Sequence, residues 1–321
     1  MPILKSKVAE RAAELDVIAA KVARGSARLK PLSESTPEEA RAVRESAANP
    51  FAPPSAELAN ISDHRAKLES GAIGIRVYYP RIEKVGLKSA LVFYHGGGYV
   101  LGDVAQYDTV AQQLCFHSGC VVFSVGYTLA PEHNVKQIHE QGYQAYLWIR
   151  EHADEFGIAL DKIAMGGDSA GGNLTIAVVL ACKREGYPMP AFQLLIYPSI
   201  DLSMSFPSID EFGDGYFLTK SNMSWFRGHY LENKGQANDS DLKFLEQDLV
   251  GLPPTYLMTA GFDPLRDEGK AFFDKMVEQG VDAEHECYTD MIHGFISFAG
   301  GIGAGMECLK DMGLRLKNAL S

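Results

Sequence analysis

The sequence predicts an α/β protein whose central, mostly parallel sheet is covered on both faces by helices. From Gly71 onward, short apolar runs alternate with longer stretches of helical periodicity, a pattern typical of βαβ units. The chain has 321 residues, of which 46% are hydrophobic, so it can bury a large core. No internal repeat is visible in the sequence at a period of 20 to 50 residues, which argues against a solenoid or a propeller.

Seven apolar runs are candidate strands, and several are separated by candidate helices. The strands are predicted at 73–79, 90–94, 121–125, 163–165, 193–197, 255–259 and 283–288. The helices are predicted at 107–117, 139–152, 171–184 and 267–279. The last helix precedes Gly280, a residue type that commonly ends helices. In open parallel sheets functional groups gather at the carboxyl ends of the strands, so we expect a site there.

Two segments do not fit this alternation. Residues 1–60 are largely polar and helical, with apolar residues at three- and four-residue spacing and a helix start at Pro37. Residues 203–241 interrupt the strand–helix pattern and are rich in aromatic residues. We expect this second segment to be an insertion over one end of the sheet.

Charge and hydropathy exclude several classes of partner. The chain has 30 basic and 41 acidic residues, a net charge of −11, which is the wrong sign for neutralising nucleic-acid phosphates or anionic membranes. Its longest apolar run, 176–182, is far short of the ~20 residues of a membrane-spanning helix. The N-terminus has charged residues where a signal peptide needs an apolar segment. We therefore expect a cytoplasmic protein with no nucleic-acid or membrane partner.

The five cysteines predict neither a disulfide framework nor a thiolate metal site. Their number is odd and no CxxC spacing occurs, so buried thiols are expected. The segment His139–Glu140 lacks the second histidine of an H-E-x-x-H zinc motif. The other histidines show no metal-ligand spacing, and no phosphate-loop or dinucleotide motif fits the glycine-rich segments. We expect no metal and no cofactor.

One motif carries a specific chemistry. The segment Gly167-Asp-Ser-Ala-Gly171 follows an apolar strand and opens a helical stretch. This is the context of a G-x-S-x-G turn, in which glycines permit the sharp bend that presents a serine hydroxyl at a helix N-terminus. Ser169 is therefore a candidate nucleophile.

A serine nucleophile needs a histidine base and a carboxylate that orients the histidine. Asp263 follows the apolar run 256–260, and His293 lies in a loop after the last predicted strand. The order Ser, Asp, His is the one expected for this kind of turn. The competing interpretations are that Asp263 caps the next helix and that His293 is an ordinary loop histidine. The agreement of order and position for all three favours a catalytic triad.

Acyl transfer also needs hydrogen-bond donors for the oxyanion that forms on the substrate carbonyl. The segment His95-Gly-Gly-Gly-Tyr99 follows a predicted strand, and consecutive glycines can turn their backbone N–H groups toward a ligand. A plain flexible loop is the alternative. The presence of the Ser169 turn favours an oxyanion hole.

With these motifs the sequence resembles the hormone-sensitive-lipase-like family of α/β hydrolases, in the branch with a Gly-Asp-Ser-Ala-Gly turn. The matching segments span about residues 70 to 300 and are 95–98, 127–133, 167–171, 197–198, 251–254, 263–267 and 293–295. The resemblance implies an α/β-hydrolase fold in which Ser169 is the nucleophile, His293 the base and Asp263 its partner. It further implies that Gly97, Gly98 and Ala170 supply the oxyanion-hole amides.

The resemblance also implies a division of the chain. Residues 61–202 and 242–321 would form the hydrolase core, while residues 1–60 and 203–241 would form a helical cap over the site. The sequence departs from the family pattern in one region, where Gly126-Tyr-Thr128 replaces Asp-Tyr-Arg and Glu140 stands in the place of a usual Asp. These positions are expected to brace the loop below the site, so its packing should differ from that of the family.

The function expected from the resemblance is that of a serine carboxylesterase acting on a small-molecule ester, with short-chain acyl esters as substrates. An amidase or deacylase acting on aryl or N-acyl compounds is the alternative, because the same triad serves both reactions. Receptors with this fold lack the catalytic histidine, so His293 argues against a non-catalytic receptor. A peptidase is disfavoured because no large extra domain is present. A homodimer is left open.

Overall fold

The computed structural model describes residues 11–81, 86–232, 236 and 239–321. It contains one eight-stranded sheet with the strand order β1-β2-β4-β3-β5-β6-β7-β8. The strands are β1 (Asn60–Leu68), β2 (Gly71–Tyr79), β3 (Lys88–Tyr94), β4 (Val121–Gly126), β5 (Ile158–Asp168), β6 (Phe192–Ile196), β7 (Thr255–Phe262) and β8 (Ala283–Ile292). β1, β2 and β4 pair antiparallel, and all pairs from β4 to β8 are parallel. The α/β class and the mostly parallel sheet are confirmed.

Ten α-helices connect or flank the strands in the described residues. They are α1 (Val17–Ser26), α2 (Pro37–Ser46), α3 (Asp108–Ser118), α4 (Val135–Glu151), α5 (Ala153–Phe156), α6 (Ala170–Glu185), α7 (Pro207–Glu211), α8 (Lys220–Tyr230), α9 (Arg266–Glu278) and α10 (Gly303–Ala319). None of the helices in the described ranges is long and apolar enough to cross a membrane.

The helix ends follow from local sequence. At α2, Thr36 accepts a hydrogen bond from the Glu39 backbone and Glu39 reaches back to the backbone of Thr36, which satisfies two otherwise unpaired N–H groups. Pro37 is the first residue of this helix, as the sequence predicts, because its fixed φ suits that position. Asn134 and Gln137 form the same reciprocal cap at α4.

The sheet has a hydrophobic core on each face. On one face α4, α6 and α9 pack against the sheet, with fully buried side chains such as Val92 and Phe123. On the other face α1, α3 and α10 pack over side chains such as Phe93 and Leu194. Because both faces are covered, the central strands are continuous apolar runs, and β7 is buried along its whole length.

Chain order reverses at β3. From β3 the chain moves to β4 on one side of the sheet, and from β4 it returns to β5 on the other side of β3. Loops that leave such a reversal point diverge and open a crevice beyond the carboxyl ends of the strands. The loops after β3 and β5 border that crevice, and they contain the predicted glycine-rich segment and Ser169.

Candidate active site

Ser169 lies at the turn between β5 and α6 in a backbone conformation that side-chain-bearing residues rarely adopt. Its φ is 55° and its ψ is −117°, and such strain at a turn is typical of functional sites. A Cβ on Gly171 would overlap the carbonyl of Tyr94, and a Cβ on Gly167 would overlap the carbonyl of Gly171. The two glycines of the motif are therefore required by close backbone packing around the serine.

The structure brings Ser169, His293 and Asp263 together. The Oγ atom of Ser169 lies 2.9 Å from Nε2 of His293, and Nδ1 of His293 lies 2.7 Å from Oδ2 of Asp263. Asp263 directly follows β7 and His293 directly follows β8. The contacts fit a neutral imidazole that donates from Nδ1 to the carboxylate and accepts at Nε2 from the serine hydroxyl.

Asp263 is positioned by its own loop. It is fully buried, and its Oδ1 atom accepts a hydrogen bond of 2.8 Å from the backbone N–H of Leu265. The other oxygen is left for His293. A buried carboxylate is stable only when its oxygens are hydrogen-bonded, and this arrangement also fixes the direction in which it faces.

The glycine-rich loop after β3 presents candidate oxyanion donors. Gly97 and Gly98 have φ values of 121° and 63°, and a Cβ on Gly97 would overlap the carbonyl of Leu101. Ala170 is the first residue of α6. In the described part of the chain, the backbone N–H groups of Gly97, Gly98 and Ala170 donate to no other residue, so all three are available to a ligand.

Asp168 connects the serine turn to the glycine-rich loop. It is buried, and its two oxygens accept hydrogen bonds from the backbone N–H of Gly96 at 2.7 Å and from the hydroxyl of Tyr107 at 3.0 Å. Burial raises the pKa of this carboxyl to about 6, against the lowering effect of those two hydrogen bonds. Asp168 therefore holds the two loops in a fixed relative position.

A second histidine, His95, lies close to the site, but its contacts serve to hold the loop in place. His95 is buried, its ring stacks on Tyr127 at 4.4 Å, and its carbonyl accepts a hydrogen bond of 2.6 Å from the Tyr127 hydroxyl. Burial lowers the pKa of His95 to about 4, so it stays neutral near pH 7. These contacts fix the start of the glycine-rich loop.

A polar network that was not predicted lies behind the serine turn. The Tyr99 hydroxyl donates to Oδ1 of Asn173 at 2.7 Å, and Nδ2 of Asn173 donates to the carbonyl of Ser199 at 2.8 Å. Nε2 of His139 lies 3.1 Å from the same Asn173 oxygen. The positions of Tyr99 after the three glycines and of Asn173 after the serine turn are the available sequence signals. The network links the loops after β3 and β6 to helices α4 and α6.

The expectation for Glu140 is corrected by the structure. Glu140 is exposed and accepts a hydrogen bond from Gln144. Its neighbour Gln141 is buried and accepts a hydrogen bond of 2.6 Å from the backbone N–H of Thr128. Successive residues of a helix point about 100° apart, so the next residue, and not Glu140, faces the loop and braces it.

Both flanking segments contact the glycine-rich loop. From α2, the Arg41 guanidinium donates to the carbonyls of Val100 at 2.9 Å and Ala130 at 2.6 Å and pairs with Glu132. From α8, the ring of Phe226 lies directly over Gly98, where a Cβ would overlap it. Neither contact could be predicted from local sequence.

No group of three or more His, Cys, Asp or Glu side chains is arranged to hold a metal ion within residues 11–81, 86–232, 236 and 239–321. The arrangement at Ser169 instead combines a nucleophile, a base and available backbone donors. These are the components needed to attack a carbonyl carbon and to stabilise the resulting oxyanion.

Comparisons with known proteins all match this chain to hydrolases. A family model described as an alpha/beta hydrolase fold matches residues 91–297. The chain is 39% identical to the carboxylic ester hydrolase LipN of Mycobacterium tuberculosis over 247 residues, which are 74% of this chain and 65% of LipN, so the match spans slightly less than two thirds of that relative. It is 30% identical to an ethyl acetate hydrolase of Pseudomonas putida over 278 residues, 85% of this chain and 87% of the relative.

A solved structure shares the whole architecture. The ester-hydrolase EH1AB1 from the metagenome of Lake Arreo, solved with a derivative of bipyridine phosphonate, superposes with a TM-score of 0.90 and 33% identity. The match covers 96% of this chain and 98% of that one. Likeness of this extent includes the regions outside the sheet.

Proposed function

Because the chain belongs to the hormone-sensitive-lipase-like family of α/β-hydrolase carboxylesterases, we propose that it hydrolyses short-chain acyl esters through an acyl-enzyme on Ser169. The observation that carries this proposal is the continuous pair of hydrogen bonds from Ser169 through His293 to Asp263. A serine hydroxyl is a weak nucleophile at neutral pH, and such a pair removes its proton as it attacks.

In the first half of the reaction, the Oγ atom of Ser169 attacks the ester carbonyl carbon. Nε2 of His293 takes the hydroxyl proton, while Asp263 keeps the ring in the required tautomer and stabilises the imidazolium. The tetrahedral intermediate then collapses. His293 returns the proton to the leaving alcohol, and the acyl group remains on Ser169.

In the second half, water replaces the alcohol. His293 takes a proton from the water as its oxygen attacks the acyl carbonyl. His293 then returns the proton to Oγ of Ser169 as the bond to the acyl carbon breaks, and the carboxylic acid is released. The backbone N–H groups of Gly97, Gly98 and Ala170 stabilise the oxyanion in both halves. Their availability as donors supports this role, and loss of one such donor typically costs about 10²–10³ in kcat.

Two observations support a short-chain substrate. A relative at 30% identity is named for ethyl acetate, an ester with a two-carbon acyl group. In addition, the aromatic ring of Phe226 covers part of the glycine-rich loop. It therefore occupies space next to the position proposed for the carbonyl group of the substrate. We therefore also propose that residues 1–60 and 203–241 act together as a cap over an apolar pocket.

The decisive experiment replaces the nucleophile. Ser169→Ala should lower kcat for p-nitrophenyl acetate by about 10⁴-fold or more and leave the melting temperature close to that of the parent chain. A phosphonylating serine reagent should add mass to Ser169 alone. The exposed Ser321 offers a matched control, since Ser321→Ala should retain both activity and labelling. Retention of most activity by the Ser169 variant would refute the proposal, and faster hydrolysis of anilides than of esters would favour an amidase.

We further propose that the protein is cytoplasmic and that it forms a homodimer. Cys115 and Cys308 are buried thiols whose pKa burial raises well above the ordinary range, and thiols that remain reduced fit the cytoplasm. In the described residues β8 ends the sheet, and the N-terminal segment donates backbone hydrogen bonds only to Thr289 and Asp290 near the carboxyl end of this strand. We propose that the earlier part of this strand is an edge for a homodimer. Cell fractionation and analytical ultracentrifugation at two concentrations test the two statements.

A further inference from the structure

The ring of Phe226 is fixed over the oxyanion side of the site. A Cβ built on Gly98 would overlap Cγ, Cδ1 and Cδ2 of Phe226, so the ring lies in contact with the Gly98 backbone. Phe226 is only partly buried. An apolar ring that packs beside a backbone donor and is not fully buried is suited to contact an apolar ligand group.

Contacts on both sides of Phe226 hold α8 in place. The neighbouring Trp225 donates from its indole N–H to the carbonyl of Ser35 at 3.1 Å, which ties α8 to the N-terminal segment. One helical turn further on, the buried ring of Tyr230 lies 5.6 Å from Tyr99 in a T-shaped arrangement. Phe226 is therefore a positioned side chain and not a loose surface residue.

A second phenylalanine of the same insertion lies on the histidine side. A Cβ on Gly294, the residue after His293, would lie 3.3 Å from Cε1 of Phe217. Phe217 has a φ of 76°, and its ring meets Phe298 in a T-shaped contact at 5.3 Å. This packing maintains the strained backbone at Phe217. The backbone conformation in turn directs the ring toward the loop that contains His293.

The proposed chemistry assigns different substrate groups to the two sides. His293 must return a proton to the leaving oxygen, so the alcohol part of the ester has to lie on the His293 side of Ser169. The acyl part stays attached to Ser169 with its oxygen directed at Gly97 and Gly98. The acyl chain is a separate substituent of the same carbon, so it extends away from His293 and passes beside the donor loop, where Phe226 is the ring in contact with Gly98.

We propose that Phe226 limits the size of the acyl group and that Phe217 limits the size of the alcohol group. This inference rests on the proposed esterase mechanism and assigns the two specificities to different residues. A ring in contact with a substrate chain restricts its length by steric overlap, and its removal opens space for additional methylene groups. A difference of one or a few methylenes in an apolar pocket corresponds to about 10- to 200-fold in kcat/KM.

The test uses two substrate series with the full-length protein. In the acyl series, p-nitrophenyl esters run from acetate to octanoate. In the alcohol series, acetate esters run from ethyl to octyl, with acid release followed by pH-stat. Phe226→Ala should raise the octanoate-to-acetate ratio of kcat/KM by about tenfold or more and leave the octyl-to-ethyl ratio within about twofold. Phe217→Ala should do the reverse.

Controls separate specificity from stability and from the mechanism itself. Phe116 is exposed on α3, and Phe116→Ala should change neither ratio. If an alanine variant fails to fold by circular dichroism, Phe226→Leu and Phe217→Leu give smaller changes in the same directions. Unchanged ratios, or a change in the wrong series, would overturn the inference. Failure of the proposed mechanism would appear separately, as ester hydrolysis that survives in Ser169→Ala.

Discussion

The side chain of Asp168 accepts a hydrogen bond of 2.7 Å from the backbone N–H of Gly96, although 72 residues separate them in the chain. Asp168 precedes the proposed nucleophile, and Gly96 precedes the two glycines proposed to bind the oxyanion. Their hydrogen bond therefore sets the distance between nucleophile and donors. In acyl transfer this distance decides how well the donors match the transition state.

The ionisation of Asp168 should make stability depend on pH. Burial raises its pKa from 3.8 to about 6, so the folded state holds the proton more tightly than the unfolded chain. The stabilisation is present at low pH and is lost as pH rises through about 6. Relative to Asp168→Asn, the unfolding free energy of the parent chain should fall by about 2 kcal/mol between pH 4.5 and 7.5. Urea unfolding of both proteins at these pH values measures the difference.

The hydrogen bonds of Asp168 should matter for activity more than its charge. Asparagine can still accept from Gly96 and can donate to the Tyr107 hydroxyl, so Asp168→Asn should retain most of kcat. Asp168→Ala frees both partners and should lower kcat by about tenfold or more. Equal kcat values for the two variants would show that the hydrogen bonds do not position the loops.

The acid limb of the pH profile should report His293. The proposed base must be neutral to accept the Ser169 proton, so kcat/KM should fall at acid pH with a slope of one proton. Removal from water lowers the pKa of His95 and of His139 to about 4, so neither titrates in the range from pH 5 to 8. Measuring the limb in Asp168→Asn removes the carboxyl that precedes Ser169 and titrates near pH 6. A flat limb down to pH 4.5 would argue against a histidine base.

The close fit between Gly98 and Phe226 should appear as coupling between two substitutions. Gly98→Ala introduces a Cβ into the Phe226 ring at a φ of 63°, so it should displace the donor loop and lower kcat/KM by about 10²-fold. Adding Phe226→Ala should recover part of that loss for p-nitrophenyl acetate. Gly228 on the same helix faces open space, and Gly228→Ala should have little effect. A strictly additive double variant would contradict the steric explanation.

Removal of the N-terminal segment should impair activity more than folding of the sheet. Deleting residues 1–46 removes Arg41, whose guanidinium holds the carbonyls of Val100 and Ala130. We expect kcat/KM for p-nitrophenyl esters to fall by about tenfold or more while far-ultraviolet circular dichroism still reports the α/β fold. Arg41→Lys separates the two effects, because it keeps the segment but loses the forked contact. Unchanged kcat/KM across the acyl series in the truncated protein would refute the cap assignment.

The sequence predicted those parts of the fold that have a local signal. Seven strands were predicted from apolar runs, but β1 was not, because it is a polar edge strand in which Ile61 is 42% exposed and alternation is weak. Ser169, Asp263 and His293 could be placed together because each follows a strand whose carboxyl end lies at one edge of the sheet. Their catalytic roles stay a prediction.

Contacts between distant segments could not be predicted. Arg41 is one of several charged residues in a polar helix, and nothing in its local sequence marks it out. Only the folded chain brings it to the carbonyl of Val100. Phe226 could be recognised as part of an aromatic-rich insertion, but not as the ring over Gly98. Bracing of the loop by Gln141 in place of Glu140 depends on which way the helix faces, which sequence spacing alone does not determine.

The contacts of the N-terminal segment also determine the order in which the protein can be assembled. Arg41 meets Glu132 across 91 residues of chain, and Trp225 meets Ser35 across 190. During synthesis α1 and α2 emerge first, yet their partners are completed much later. The part of the protein that is made first therefore completes these contacts only after residues more than 90 positions later have been made.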